Sequence, residues 1–579
     1  MAHPVLSVVG RVPRRRLAVA GLLAAAVLAV GAPKPASAEA KKDWKAAAAR
    51  VDDLVGAHMK TQKDLVVAPR ADDAEFLRRV TLDLTGTIPT EAEAVAFLKD
   101  PAPEKRSALV DRLLASPRHA DWFAMWYGNL LVGSSIRNRN LDRRSFNDWL
   151  RDQFRRNRPY DELAYDLITA QGNSEENGAI GFVSNFEFSA ADAVGKTSKY
   201  FLGVQIQCAQ CHDHPYDKRI KKEDFASFAA FFFTTTHRRN MSANNAEISF
   251  DVNSFLVDDV KGGAYGRKPM GPGMARGIPL RLEAVTPKNA RGMPLELPEP
   301  KLLLGKTLKD VPGIDRRTLL AKWMTSKSNE WFQQAFANRM WAYLMGRGIV
   351  HPTDDFTTSN RPSNPELMKF LGEELVRGDF DVNHLIRTIV NTEAYQRTSK
   401  MPRDLERPEP SLYAVASVKP LSVEQSFDAL FRATGAEKEV ERAMAMGDRV
   451  GRAGGRGQLV DPRMLIYQQF RRSFDDDEQV EEETFTGTIP RGLLMMNGQR
   501  INQMMSASGA DSPLHDILAS ERSDRERIRR LYLTVLTREP SPGELSNALQ
   551  HVHQSRTETE GYEDLLWALC NTTEFMSNH

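Results

Sequence analysis

The sequence predicts a mainly α-helical protein, two helical domains joined by a Gly/Pro-rich segment with a few short strands. Three observations lead there. Helix-start signals recur along the chain, apolar residues between them repeat at three and four, and Gly and Pro crowd into one central stretch, "GGAYGRKPMGPGMARG" (262–277). At 579 residues the chain exceeds one ordinary domain, and its 41% apolar content suffices for real cores.

Taken in order, residues 1–38 read as a secretory signal. Arg14, Arg15 and Arg16 form a basic start, Leu17 to Val30 an apolar run, and Ala36-Ser37-Ala38 a small-residue cleavage site. The apolar run is short for a spanning helix, which needs about 20 residues, so no transmembrane span is expected in the mature chain. Cleavage removes five basic residues and no acidic ones, taking the net charge from +2 to −3. No basic stripe remains to argue for nucleic acid. The chain holds only three cysteines, Cys208, Cys211 and Cys570, too few for a disulfide scaffold. Cys570, on an apolar helix face in "DLLWALCNTTEF", is expected to be a buried thiol.

Residues 43–239 and 313–579 are the two expected helical domains, with 240–312 as the β-containing linker or insert. "NRPYDEL" (157–163), "SNPEL" (363–367) and "PSPGEL" (540–545) each combine a capping side chain, Pro and an early acidic residue. "RRVTLDLTGTIPTEAE" (78–93) aligns without a gap on "RRLYLTVLTREPSPGE" (529–544), each with two arginines, an apolar helix, Pro, a Ser or Thr cap and Glu three residues later. "ALVDRLLASPRH", "HLIRTIVNTEAY" and "DLLWALCNTTEF" read as three copies of a following element. This is a duplicated helix-pair module, too irregular for a solenoid. In the linker, "ISFDV" and "PLRLEAV" read as strands. "GDRVGRAGGRGQLVDP" reads as an exposed loop, and the acidic run "DDDEQVEEE", without calcium-loop spacing, as a solvated face.

The most specific chemical signal is "VQIQCAQCHDHPYDK" (204–218), which holds C-x-x-C-H. In a c-type cytochrome two such thiols add to the porphyrin vinyl groups and the adjoining His ligates iron. That assigns Cys208 and Cys211 to thioether bonds and His212 to iron as proximal ligand, forming haem c. The same residues admit other chemistry. Zinc or another metal could draw on Cys208, Cys211, His212 and His214, although four ligands within seven residues are cramped. Cys208 and Cys211 could also form a redox disulfide, without the βαβ context of a thioredoxin-like motif, or a purely structural pair. For a sixth iron ligand, Met270 and Met274 sit in a Pro/Gly loop, while His214, His237 and Met241 are nearer in sequence. His214 lies too close to His212 to reach the opposite ring face, and a supporting role beside the iron ligand suits it better.

No G-x-S-x-G or H-E-x-x-H occurs. "AADAVGKTS" fails as a phosphate loop because Ala190 stands where the first Gly belongs. No catalytic residue is therefore assigned.

Five stretches, "DDAEFLRRVTLDLTGTIPT", "NRPYDEL", "FLGVQIQCAQCHDHPYDKRIKKEDFASFAAFF", "ANRMWAYLMGRGIVHPTDDF" and "LLWALCNTTEFMSNH", resemble the planctomycete cytochrome-c-like proteins. In those, two adjoining domains of otherwise unknown function, the first carrying CAQCHDHP, are joined by a variable middle. The resemblance runs from about residue 43 to the C-terminus. It implies export to the periplasm or the cell surface. Many relatives carry an additional N-terminal cytochrome domain with its own haem motif, which this chain lacks, so the resemblance implies at most one haem. Relatives also occur with sugar-binding modules, which implies extracellular polysaccharide as an alternative partner.

The expected function is that of an exported mono-haem c-type cytochrome-like protein, supporting electron transfer or another redox reaction outside the cytoplasm with an unnamed redox partner. The alternative is an extracellular structural or polysaccharide-associated protein whose Cys/His cluster holds a structural metal.

Overall fold

Helices dominate the computed structural model, which describes residues 43–134, 141–233 except 187–188, the strand residues 235–239, 255–259 and 278–279, 298–437 except 403, positions 467, 470 and 471, 503–508 and 512–579. The expected signal peptide, "ISFDV", "GDRVGRAGGRGQLVDP" and "DDDEQVEEE" lie outside the described residues, as does "PLRLEAV" beyond its first residue.

The N-terminal half contributes α1 (Trp44–Met59), α2 (Asp73–Thr85), α3 (Glu91–Lys99), α4 (Lys105–Leu114), α5 (Pro117–Val132), α6 (Arg143–Arg155), α7 (Tyr160–Thr169), α8 (Ile180–Ser184), α9 (Ala190–Thr197) and α10 (Lys222–Ala229). The C-terminal half contributes α11 (Arg316–Met324), α12 (Glu330–Met345), α13 (Pro365–Arg377), α14 (Val382–Val390), α15 (Glu393–Gln396), α16 (Val423–Thr434), α17 (Pro513–Ser520), α18 (Asp524–Leu536), α19 (Pro542–Gln554) and α20 (Glu558–Cys570). Short antiparallel strands complete the fold. β1 (Gly172–Asn173), β2 (Thr235–Arg239), β3 (Phe255–Asp259) and β4 (Ile278–Pro279) form a sheet in the order β1-β3-β2-β4, and β5 (Lys419–Pro420) pairs with β6 (Ser577–Asn578). Strands thus do occupy the central segment, and one of them pairs back onto β1.

The caps explain where the helices start. Thr90 and Ser541 each accept the N–H of the Glu three residues on, and each Glu reaches back to the cap's own N–H, closing a capping box in both copies of the repeat. Both preceding helices end in the left-handed region, at Gly86 (φ 70°) and at the equivalent Thr537 (φ 66°). Gly is required at the first, because a Cβ there would lie 2.1 Å from Trp122. In the third repeated element Ser116, Thr392 and Thr572 accept from the N–H of His119, Tyr395 and Phe575 respectively, at 3.1–3.2 Å. Two copies of the larger repeat also meet, where Arg530 on α18 pairs with Glu91 on α3 at 2.6 Å.

Two apolar cores result, and they do not follow the division at residues 239 and 313. The larger runs from Val51 to Tyr413 and takes side chains from both halves, including Phe76, Phe182, Phe201, Phe336 and Leu385. The smaller gathers α16 to α20 and adds Leu82 and Ile88 from the N-terminal half. Helix α2 lies between them, with Phe76, Leu77, Val80 and Leu84 in one core and Leu82 in the other.

Its buried charges are held by the chain around it. Arg78 donates to the carbonyls of Val535 (3.1 Å) and Phe575 (2.8 Å), and Arg79 to those of Tyr395 (2.6 Å) and Arg397 (2.8 Å). The two adjacent arginines thus each grip the final aromatic residue of one copy of the third element. Glu75 accepts from Arg79, Thr398 Oγ1 and Ser399 N–H, each at 2.7 Å, while Asp83 accepts from Lys419, Asn578 and the Tyr395 hydroxyl at 2.6–2.7 Å. Pairing of this kind makes buried charge tolerable, although the Nε of both arginines is left without a hydrogen-bond partner among the described residues.

Candidate functional site

The C-x-x-C-H segment is delivered by a change of helical pitch. Helix α9 runs into a π-helical turn, Ser198–Leu202, which stops at Gly203 in the left-handed region (φ 70°). A Cβ on Gly203 would lie 3.0 Å from the Phe356 ring, and the Gly203 carbonyl accepts the Phe356 N–H at 2.9 Å. Buried Val204 and Ile206 then pin the strand of chain that follows.

Residues Gln207–Gln210 form a 3₁₀ turn, with Ala209 fully buried and Cys208 and Cys211 exposed as free thiols. Cys211 follows the turn directly, three residues after Cys208. His212 is exposed next to them, and its Nδ1 lies 2.7 Å from the Asp213 carbonyl. A carbonyl only accepts, so Nδ1 carries a proton and donates it to Asp213.

The loop beneath is closed by its own polar groups. Asp213 accepts from Lys221 Nζ (2.9 Å) and from the N–H of Lys222 at the start of α10 (3.2 Å). The hydrogen bond from Lys221 holds the Asp213 carboxyl below its ordinary range. His214, only 4% exposed, donates from Nε2 to the Gln205 carbonyl (2.8 Å) and accepts at Nδ1 from the N–H groups of Asp217 (3.0 Å) and Tyr216 (3.3 Å). Its N–H in turn donates to the Ile220 carbonyl at 3.0 Å. The Asp217 carboxylate is fully buried and takes a two-point grip from Arg219, at 2.9 and 2.6 Å, which holds it below the usual carboxylate range. From the C-terminal half, Ser359 Oγ donates to the Tyr216 carbonyl at 3.3 Å.

The structure therefore separates residues that spacing treats alike. Cys208, Cys211 and His212 present their reactive atoms to solvent. His214 faces inward with both ring nitrogens occupied, as a clamp joining the two ends of the loop. The four-residue zinc set is not brought together, and among the described residues no group of three or more His, Cys, Asp and Glu stands where it could hold a metal ion. Met241, Met270 and Met274 lie outside the described residues, and of His237 only the backbone, in β2, is described. Cys570 is buried, as expected, and burial pushes its thiol up to about 12. Sequence reasoning missed Asp213, Asp217 and Arg219. The signal was the Pro215-Tyr216-Asp217 run, where Pro and Asp mark a self-bonded turn.

Chemically, two exposed free thiols three residues apart, followed directly by an exposed imidazole, are residues that could hold a c-type haem. The hydrogen bond from Nδ1 to a carbonyl is the arrangement that orients a ligating imidazole and raises its basicity.

No curated protein and no solved structure matches the chain. Two family matches do cover it in succession, the first enclosing C-x-x-C-H and the second α12 and the Phe356 loop that packs beside it. Residues 50–237 match DUF1549 and residues 316–552 match DUF1553, two adjoining domains each described as a protein of unknown function.

Proposed function

We propose that this chain is an exported, mono-haem c-type protein that passes single electrons to and from a redox partner outside the cytoplasm. The observation that carries the reading is the trio at the head of the loop: two exposed thiols three residues apart, followed by an exposed His212 with Nδ1 tied to a carbonyl. Bound haem supplies a one-electron couple at iron.

The chain's own residues do the rest. Cys208 and Cys211 would hold the haem covalently through thioether bonds, and His212 would ligate its iron. The Asp213 carbonyl keeps the His212 ring from turning. His214, Asp217 and Arg219 hold the loop rigid so that little rearrangement accompanies a change of charge. The exposed position of the thiols leaves the group open to a docked protein. A zinc centre that drew on His214 would cost the buried ring the hydrogen bonds at whichever nitrogen ligated the metal, to the Gln205 carbonyl at Nε2 or from Asp217 and Tyr216 at Nδ1, which disfavours it.

The test is to produce the protein in a host with cytochrome maturation machinery and record its visible spectrum and intact mass. One covalent haem per chain is expected. An unmodified mass, with Cys208 and Cys211 free or bridged, refutes the proposal.

A further inference from the structure

Beside the C-x-x-C-H loop, on the seam between the two domains, lies an open cleft of about 270 Å³. Arg219 comes from the loop, Glu330, Trp331 and Gln334 from the first turns of α12, and Phe356 and Asn360 from the segment packed against Gly203. We propose that this cleft binds one ring of a neutral carbohydrate.

Four features lead to that class. The half-buried Trp331 offers an aromatic face, and the negative face of an indole attracts the weakly positive C–H face of a sugar ring. Around it lie both donors, on Arg219 and Gln334, and acceptors, on Glu330, Gln334 and Asn360, suited to a ligand whose hydroxyls both donate and accept. Glu330 and Gln334, one helical turn apart, have no hydrogen-bond or ion-pair partner among the described residues. Asn360 spends its amide nitrogen on the His351 and Asp355 carbonyls, which leaves its side-chain oxygen to the cleft.

Charge and size narrow the choice further. Arg219 is neutralised by Asp217 through Nε and Nη2 and keeps Nη1 to donate, while Glu330 supplies one negative charge. An anionic ligand would meet that carboxylate, whereas a neutral polyol meets both donors and acceptors. The volume is below the roughly 300–1,000 Å³ of pockets that enclose a whole drug-sized ligand, and the open wall suits one ring of a longer chain.

The site stands whether or not haem is attached, and the two readings are assayed separately. Titrate the full chain by calorimetry with neutral hexasaccharides (α-1,4- and β-1,4-linked glucose, β-1,4-linked xylose and mannose) and with an acidic one, hexagalacturonate. At least one neutral hexasaccharide is expected to bind in the millimolar range or tighter. Glu330→Ala with Gln334→Ala should weaken it at least tenfold at unchanged melting temperature, while Tyr216→Ala, outside the cleft, should leave it unchanged. Trp331→Ala should abolish binding; because that residue also packs on the core, the surface pair is the deciding variant. No binding by any neutral hexasaccharide, binding that ignores the cleft variants, or binding of hexagalacturonate alone overturns the proposal.

Discussion

Replacing His214 by Ala isolates what holds the C-x-x-C-H loop. The imidazole is buried and makes two short hydrogen bonds, to the Gln205 carbonyl at 2.8 Å and from the Asp217 N–H at 3.0 Å, with a longer one from Tyr216. Alanine leaves two backbone groups without partners, each costing about 1–3 kcal/mol. Water entering the vacated space recovers part of that, so a net loss of about 2–4 kcal/mol is expected. This is below the roughly 5–15 kcal/mol of a typical fold, so the chain should stay folded while residues 205–220 open locally. At about 1.4 kcal/mol per decade, hydrogen-exchange protection of that segment should fall about 30- to 1,000-fold, with the rest of the chain unchanged. Measured on protein carrying haem, His214→Ala should keep the covalent group, whereas His212→Ala should alter the spin state or prevent attachment. Unchanged exchange in residues 205–220, or equal loss of haem from both variants, would refute this division of roles.

Thiol titration of the unmodified chain should count two reactive cysteines in the native state and a third only on unfolding, since Cys570 is buried; native labelling of all three would contradict the burial. Arg78→Ala should destabilise the protein by about 3–5 kcal/mol in urea, because it leaves buried carbonyls unpaired and opens a cavity, and Arg78→Lys by about half as much. At low pH, hydrogen bonds from Arg538 depress Glu544 from 4.5 to about 2, so its contribution is full above about pH 4.5 and fades as the pH falls through about 2. Glu544→Gln, which keeps the capping group, should therefore lower the melting temperature at pH 7, by the equivalent of about 1 kcal/mol for a partly exposed pair, and the gap to the wild type should close near pH 2.

Much of the helical scaffold is legible because its signals are local. The capping boxes at Thr90 and Ser541 and the three Ser/Thr caps of the shorter element are one-turn hydrogen bonds, written in the identity of residues three apart. Boundaries shift where two caps compete: in "SNPEL" the cap is Asn364 rather than Ser363, and in "NRPYDEL" α7 starts at Tyr160 without a side-chain cap. The site was half legible. C-x-x-C-H names its own chemistry, but the inward turn of His214 depends on a closed ring of backbone bonds among residues 205–220, which spacing does not express. Least legible was the sharing of α2 between two cores, since its partners lie hundreds of residues away.

That sharing bears on the order in which the chain can fold. Arg78 finds its acceptors 457 and 497 residues later, and Arg79 finds its own 316 and 318 residues later. Until those stretches have emerged, an apolar helix with two cations and two carboxylates has nowhere to bury them, so the newly made N-terminal segment is held short of its final packing. Complete burial of α2 therefore waits for those later stretches. A segment cut to the first family match alone should behave as a partly ordered chain, not as a domain.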